Sequence, residues 1–414
     1  MPLCHPDISS QRARPHGHLR VALAIWLGAG GLAAASAPRV DHVVPFYQFT
    51  QTLVASEDME VRRYLAFPIT LRLGGSELLI AYKRGFAHAF DAESSFDVLH
   101  YDIATQRARP QAPLFRPNNN FENAEFVRFA NGDISCFVDN QQPWREPGSS
   151  EATRLGLIEF RSTDGGRTFK DLGKVGLVDG VEYGYVFEAI TEGPMTWMLA
   201  MTFANLPGGK SIVPGRPRAG WVSVLRTDDN GRTWRSVKNL SETFQSPINE
   251  SSFIPYPDGY LFSCRPYTDA HLLVVTDRDF NVRRKVDLVE RHDFVGAAIG
   301  RPRVFAKDGR FYLMGRNRFK PSVAPILAAE YTRSRAPEQR IMLGLFRFDP
   351  ETLAVDKHVV LDNAENQRVV DAYYATPFWQ SRKGKTYFNV ITYKSVFGRM
   401  PDIVRFEYEW DEVK

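Results

Sequence analysis

Ser162-Thr163-Asp164-Gly165-Gly166-Arg167-Thr168-Phe169 and Thr227-Asp228-Asp229-Asn230-Gly231-Arg232-Thr233-Trp234 are two copies of one pattern, S/T-x-D-x-G-x-T-aromatic. The physics of the pattern is local. Its Asp accepts hydrogen bonds from the backbone of a tight turn, its Gly supplies a positive φ, and the closing aromatic tucks under the turn. Strand-like runs precede both copies, Leu155 to Arg161 and Trp221 to Arg226. The pair therefore predicts a repeated all-β unit with the turns on its outer rim, away from any chemistry.

Outward from these copies, a looser beat of apolar strand, polar turn with Asp and second strand recurs at Asp102, Asp277 and Asp349. With Asp164 and Asp229 this makes a repeat of about 60 residues, the length of a four-stranded blade with variable loops. A second beat consists of Gly-containing hairpins at Gly74-Gly75, Asn131-Gly132, Asp258-Gly259, Asp308-Gly309 and Lys383-Gly384. Such dipeptides favour hairpins because both central residues take left-handed dihedrals. The expected fold is all-β, a six-bladed β-propeller of four-stranded antiparallel blades. The alternating last strand, Ile403 to Trp410, is expected to complete a blade begun near the start of the mature chain. Nothing resembling a linker divides residues 38–414, which are read as a single domain, and Pro207 to Gly220 is read as a loop over one face.

Arg12, Arg14 and Arg20, the uncharged run Val21 to Ala34 and the small residues Ala35-Ser36-Ala37 read as a secretory signal peptide over residues 1–37. The run is shorter than the roughly 20 apolar residues a spanning helix needs, so stable membrane insertion is not expected. The expected location is secreted or periplasmic after cleavage near Ala37. Of three cysteines, Cys4 leaves with this segment, and Cys136 and Cys264 read as buried free thiols in strands. A net charge of +4 with mixed signs excludes a dedicated nucleic-acid binder. No Cys/His cluster has metal-ligand spacing, and no cofactor is implied. Aromatic content of 13%, with 30 Gly and 26 Pro, fits short strands and tight turns and makes a glycan the natural partner class.

Chemistry in a propeller belongs to inner strands at one mouth of the channel. In Asn249-Glu250-Ser251-Ser252-Phe253 through Cys264-Arg265, Glu250 begins one strand and Arg265 ends its hairpin partner, so both side chains are expected at the same mouth. Here the chain resembles the sialidase superfamily, whose blades carry the same Asp-box turn. Arg340-Ile341-Met342 resembles its later Arg-bearing strand and Asp371-Ala372-Tyr373-Tyr374 its Tyr segment. Phe67-Pro68 with Leu78 to Tyr82 resembles its first blade, with Asp91 at the place of its acid/base. The resemblance implies Tyr373 as nucleophile, Glu250 as the base that takes its proton, and Asp91 as general acid/base. It also implies Arg265 and Arg340 as a carboxylate clamp. A neutral Tyr avoids the repulsion a carboxylate nucleophile would meet at an anomeric carbon that bears a carboxylate. Tyr374 is the strand-neighbour alternative to Tyr373, and Asp97 the alternative to Asp91.

The chain departs from the family at Ala66, where an Arg of the clamp is usual, so one arm of the clamp is absent unless Arg62, Arg63, Lys83 or Arg84 reaches in, and His88 offers itself as a substrate contact. The implied function is an exported exo-glycosidase for a terminal acidic, sialic-acid-like sugar. Two other readings are a polysaccharide lyase acting on uronic acids, with His88 or His100 and a Tyr moving the proton, and a non-catalytic glycan-binding propeller. Arg301, Arg303, Arg316 and Arg318 flank one hairpin and read by default as a solvated face. Trp144 and Trp379 read as sugar platforms or as fillers between blades.

Overall fold

The innermost strand of each sheet starts at one mouth of a central channel, and the next three strands step outward from it in antiparallel order. A computed structural model describes residues 40–89, 91–143, 153–216, 219–297, 299–319, 340–362 and 369–414, without the side chains of Phe319 and Arg340. The expected signal peptide and Trp144 lie outside these residues. The sheets form a six-bladed β-propeller.

Blade one is built from Tyr64–Gly74, Glu77–Gly85, Ser95–Asp102 and Arg107–Pro110, and blade two from Asn120–Arg128, Ile134–Gln141, Arg154–Ser162 and Lys170–Lys174. Blade three uses Val181–Glu192, Met195–Phe203, Ala219–Thr227 and Arg235–Asn239, with Leu177–Val178 added at its inner edge. Blade four uses Ile248–Tyr256, Gly259–Pro266, Leu272–Asp277 and Val282–Asp287. Blade five uses Gly300–Lys307, Arg310–Phe319, Arg340–Phe348 and Val355–Asp362. Blade six has a broken inner strand, Val369–Ala372 then Thr376–Arg382, followed by Lys385–Val396 and Asp402–Glu409.

The five-fold Asp beat has one structural meaning. Asp102, Asp164, Asp229, Asp277 and Asp349 each stand between the third and fourth strands of blades one to five. Each Oδ1 accepts two backbone N–H bonds at 2.7–3.0 Å. In the two stronger copies a Thr hydroxyl adds a bond at 2.7 Å to Oδ2, on Asp164 from Thr168 and on Asp229 from Thr233. Burial pushes Asp229 up, but these bonds outweigh it and hold the carboxyl at about 2. Blade six has no such turn because its fourth strand, Phe49–Val54, arrives from the N-terminal end of the described chain and pairs with Asp402–Glu409. That pairing fastens the ring. A further strand, Asp41–Val43, adds in parallel to the outer edge of blade five, so the N-terminal segment ties two blades.

Three of the five hairpin dipeptides, Gly74-Gly75, Asp308-Gly309 and Lys383-Gly384, have positive φ at both residues, whereas Asn131-Gly132 has it only at Gly132 and Asp258-Gly259 only at Asp258, with Gly259 opening the next strand. Apolar side chains form six buried clusters, one between each pair of adjacent blades, including the closing pair of blades six and one. At roughly 1.5–3 kcal/mol for each fully buried large apolar side chain, this packing between blades is the main favourable term. The last strand alternates for a different reason than a wet face. Arg405 and Glu407 are fully buried, ion-paired at 2.8 Å, and Arg405 Nη1 donates at 2.6 Å to the Tyr101 hydroxyl of blade one. Trp379 fills the space between blades five and six against Phe305, Phe388 and Trp410. Cys136 and Cys264 are buried free thiols. Among the described residues no helix is long and apolar enough to cross a membrane.

Candidate active site

The pleat fails at the same place in every blade. The inner strands lose register at Ala66/Ile69, Phe121/Ala124, Tyr183/Tyr185, Ile248/Ser251 and Gly300/Arg303, and the sixth breaks at Tyr373 and Tyr374 between its two pieces. A bulge inserts an extra residue and re-aims side chains. Here five of the six irregularities, all but that of blade five, turn Phe67, Glu122, Asn123, Tyr185, Asn249, Glu250 and Tyr374 toward one pocket of about 110 Å³, joined by His88, Arg154, Phe203 and Tyr267. Phe67, Arg301 and Tyr373 hold positive φ, at 54°, 44° and 71°. For such bulky residues this backbone costs on the order of 1–3 kcal/mol each and persists only where the surroundings over-determine it.

Glu250 is the hub. Its Oε2 accepts from Arg265 Nη1 at 2.6 Å and from the Arg301 backbone N–H at 2.9 Å, and its Oε1 accepts from the Tyr374 hydroxyl and from Tyr185 at 3.2 Å. Burial pushes its pKa up, yet Arg265, the Tyr374 hydrogen bond, the Arg301 N–H and Arg316 together hold it at about 2. Tyr374 shifts the other way. Burial and then the Glu250 charge push its phenol up to about 12, against the pull of Arg316 and Arg265. At neutral pH the pair is a protonated phenol on an ionised carboxylate, which is the ground state a base-assisted nucleophile needs.

Three guanidinium groups surround this pair. Arg265 bonds Glu250, and Arg316 lies over the Tyr374 ring with Cζ 4.8 Å from its centroid while pairing with Asp371 at 3.2 Å. Arg318 has no carboxylate partner among the described residues, and its buried Nε and that of Arg316 lack acceptors. Repulsion from Arg316, then burial, then repulsion from Arg265 push Arg318 down to about 10, which still leaves it charged at neutral pH. Around the pocket Arg154 pairs with Glu122 and Asp139, Arg265 with Glu250 and Arg316 with Asp371, so Arg318 alone among these arginines has no carboxylate partner among the described residues. A planar donor set of this kind suits a carboxylate or another flat anion.

Several expected roles move. Tyr373 is fully buried behind the pocket, donates to Asp362 Oδ2 at 2.6 Å and does not meet Glu250. The strand break sends Tyr374 inward instead, so Tyr374 takes the place expected of Tyr373. Asp91 is sealed under its loop, with no exposed side-chain surface. Its Oδ2 accepts from the Phe86 and Ala87 N–H groups at 2.9 and 3.2 Å and pairs with Lys83 at 3.3 Å. Asp97 pairs with Arg84 and accepts from Ser95 on the blade-one sheet, outside the pocket lining. His100 bonds the Gly166 carbonyl at 3.1 Å beside the first Asp turn and is absent from the pocket lining, so of the two histidines only His88 reaches it.

Arg340 opens the third strand of blade five, and its side chain lies outside the described residues. Arg301, Arg303 and Arg316 are buried rather than solvated. Ala66 is fully buried and the Phe67 ring occupies the adjoining space, 4.9 Å from His88 and 5.2 Å from Tyr374 between ring centroids. Tyr185, Glu122 and Arg154 line the pocket without having been marked in the sequence, because each sits in an ordinary strand pattern. No group of three or more potential metal ligands occurs among the described residues.

No protein-family model and no curated protein matches the sequence. Similarity is structural. A Dyadobacter fermentans protein of unknown function aligns over 88% of this chain and 98% of its own, at 15% identity and a TM-score of 0.62. A Penicillium chrysogenum α-L-arabinanase complexed with arabinobiose aligns over 89% and 100%, at 11% identity and a TM-score of 0.53. A Trypanosoma rangeli sialidase, with 2,3-difluorosialic acid as a covalent intermediate, aligns over 91% of this chain and 58% of its own, at 10% identity and a TM-score of 0.51. The fold is the six-bladed propeller that sialidases and this arabinanase share.

Proposed function

We propose that this propeller is an exo-glycosidase for a terminal sugar that carries a carboxylate close to its anomeric carbon. The observation that carries the reading is the Tyr374 hydroxyl bonded to Glu250 beneath Arg265, Arg316 and Arg318. In this reading the arginines hold the substrate carboxylate, Glu250 accepts the phenolic proton, and Tyr374 attacks the anomeric carbon to give a glycosyl-enzyme that water opens. The small pocket of about 110 Å³ favours action on a terminal group. With Ala66 and Phe67 where a clamp arginine is usual, Arg318 is the substitute third cation.

The test is release of the aryl group from aryl α-sialosides and aryl uronides, with Tyr374→Phe as control. Release that Tyr374→Phe abolishes supports the reading. Formation of an ultraviolet-absorbing unsaturated sugar in place of a hydrolysed one replaces it with lyase chemistry. Tight binding of acidic glycans with no turnover replaces it with a binding protein. We also propose that the enzyme acts outside the cytoplasm. The support is the leader read in residues 1–37, and a mature N-terminus that does not begin near Pro38 in exported protein would count against it.

A further inference from the structure

We propose that His88 is the proton donor and acceptor of this site, that Asp371 is its positioning residue, and that Asp91 only anchors the loop presenting it. The assignment rests on the glycosidase reading above and concerns the one role that reading leaves without an occupant. A general acid must touch the leaving oxygen, and Asp91 cannot. Its side chain is fully enclosed, paired with an equally enclosed Lys83, and engaged by two backbone N–H groups. Gly85 permits this arrangement, since a Cβ there would lie 2.0 Å from Asp91 Oδ2. Lys83 Nζ also donates to the His88 carbonyl at 3.1 Å, so the buried ion pair holds the loop by its backbone and aims the imidazole at the pocket.

His88 meets the requirements that Asp91 fails. Its side chain is one-third exposed and lines the pocket with Tyr374 and Glu250. Nδ1 bonds Asp371 Oδ2, and the edge-on Phe67 ring fixes the imidazole plane. Asp371 is itself gripped by the Tyr64 and Tyr393 hydroxyls and by Arg316. Burial pushes Asp371 up, but His88, Arg316 and Tyr64 hold it well below the usual carboxylate range. An ionised Asp371 requires the proton on Nδ1, which leaves Nε2, free of hydrogen bonds among the described residues, to serve the substrate. A carboxylate behind an imidazole sets its tautomer and stabilises the imidazolium.

The protons balance. In the first half-reaction His88 starts as the imidazolium, with Nδ1–H on Asp371, and passes its Nε2 proton to the leaving oxygen as the glycosidic bond breaks, becoming neutral, while Tyr374 gives its proton to Glu250 and bonds the anomeric carbon. In the second, neutral His88 takes a proton from water as the water oxygen bonds that carbon. The released Tyr374 oxygen recovers its proton from Glu250.

The experiment compares kcat/KM on alkyl and 4-nitrophenyl glycosides of the accepted acidic sugar for wild type, His88→Ala, His88→Gln, Asp371→Asn and Asp91→Asn. Thermal unfolding verifies that each variant is folded. An alkoxide leaving group needs the acid and a nitrophenolate does not. Both His88 variants should lose about 10²–10⁴-fold on the alkyl glycoside and far less on the aryl one. Azide should restore aryl turnover as a glycosyl azide of retained configuration, and Asp371→Asn should show the same leaving-group bias to a smaller degree. Equal losses on both substrates in the His88 variants, or the selective loss and azide rescue in Asp91→Asn instead, overturn the assignment. A wild-type protein that turns over neither glycoside removes the glycosidase reading itself, an outcome separate from those two.

Discussion

Two clusters of buried arginine lie along the same channel, and they differ in how their charge is met. Deeper in, Arg301 and Arg303 both bond Glu125 at 2.7 Å, Arg303 also pairs with Glu188 at 2.7 Å, and backbone carbonyls of Ala124, Val186 and Phe187 take further donors. Two cations face two carboxylates from neighbouring blades. At the mouth, Arg265, Arg316 and Arg318 face Glu250 and Asp371, and Arg318 is left over. The deeper network joins blades with every arginine paired, whereas at the mouth Arg318 has no carboxylate partner among the described residues. Burial of arginine says little by itself, and the pairing of each guanidinium distinguishes the two clusters.

Substitutions separate the two clusters. The largest effect belongs to Tyr374→Phe, expected to lower kcat/KM on an acidic aryl glycoside by about 10²–10⁴-fold, a range set by loss of a nucleophile with its proton path. Tyr373→Phe should leave turnover within a few-fold, and the reverse ranking would place the reactive tyrosine behind the pocket. Next comes Arg303→Ala, which leaves Glu125 and Glu188 buried with too little positive charge and should cost roughly 3–5 kcal/mol in urea unfolding. Arg318→Ala should instead leave unfolding unchanged or shift it upward, since Arg316 and Arg265 repel it, while KM for an acidic sugar rises by about 10–100-fold. Initial rates on an acidic aryl glycoside measure that rise, and a loss of stability as large as that of Arg303→Ala would make the mouth cluster structural.

The smallest effect is in the pH dependence of stability, where the two clusters have opposite signs. Glu250 is held at about 2 against an unfolded value of 4.5. It therefore binds fewer protons folded than unfolded, so its stabilisation is present above 4.5 and is lost as pH falls toward 2. Burial raises Glu188 above 4.5 despite Arg303. Its contribution is full below 4.5 and is lost as pH rises through the folded value. Urea titrations should find that Glu250→Gln flattens the acid side of the profile and Glu188→Gln the side above 4.5. Parallel profiles for the two variants would contradict the assignment of opposite environments.

Much of this fold was legible along the chain because its signals are local. Asp164 and Asp229 each bond atoms within four residues, and the hairpin dipeptides set their own dihedrals. The weaker beats at Asp102, Asp277 and Asp349 mark the same place in the blade with different turns, accepting from N–H groups two and three or two and four residues on rather than three and four. Five beats accompany six blades because the sixth is closed by a strand from the other end. Glu250 and Arg265 were readable for a related reason, since one hairpin joins them. The site was less legible where it depends on irregularity. Alternation says that one of Tyr373 and Tyr374 points inward but not which, and the choice falls at the break in the blade-six strand. Asp91 has the composition of a loop acid, and only the structure shows that it is enclosed against Lys83 and Gly85.

What the sequence alone determined is therefore the repeat: blade length, turn chemistry, the all-β class and the hairpin that pairs Glu250 with Arg265, all set by interactions spanning a few residues or one turn. What the tertiary structure decided is the meeting of distant chain positions. Tyr374 reaches Glu250 across 124 positions and His88 reaches Asp371 across 283. Arg316 and Arg318 act on Tyr374 only because ring closure places blades four, five and six around one mouth. Pairing rules act along strands, whereas the bulges that aim these side chains arise from how six twisted sheets crowd a single axis, and that geometry is not written in any one segment.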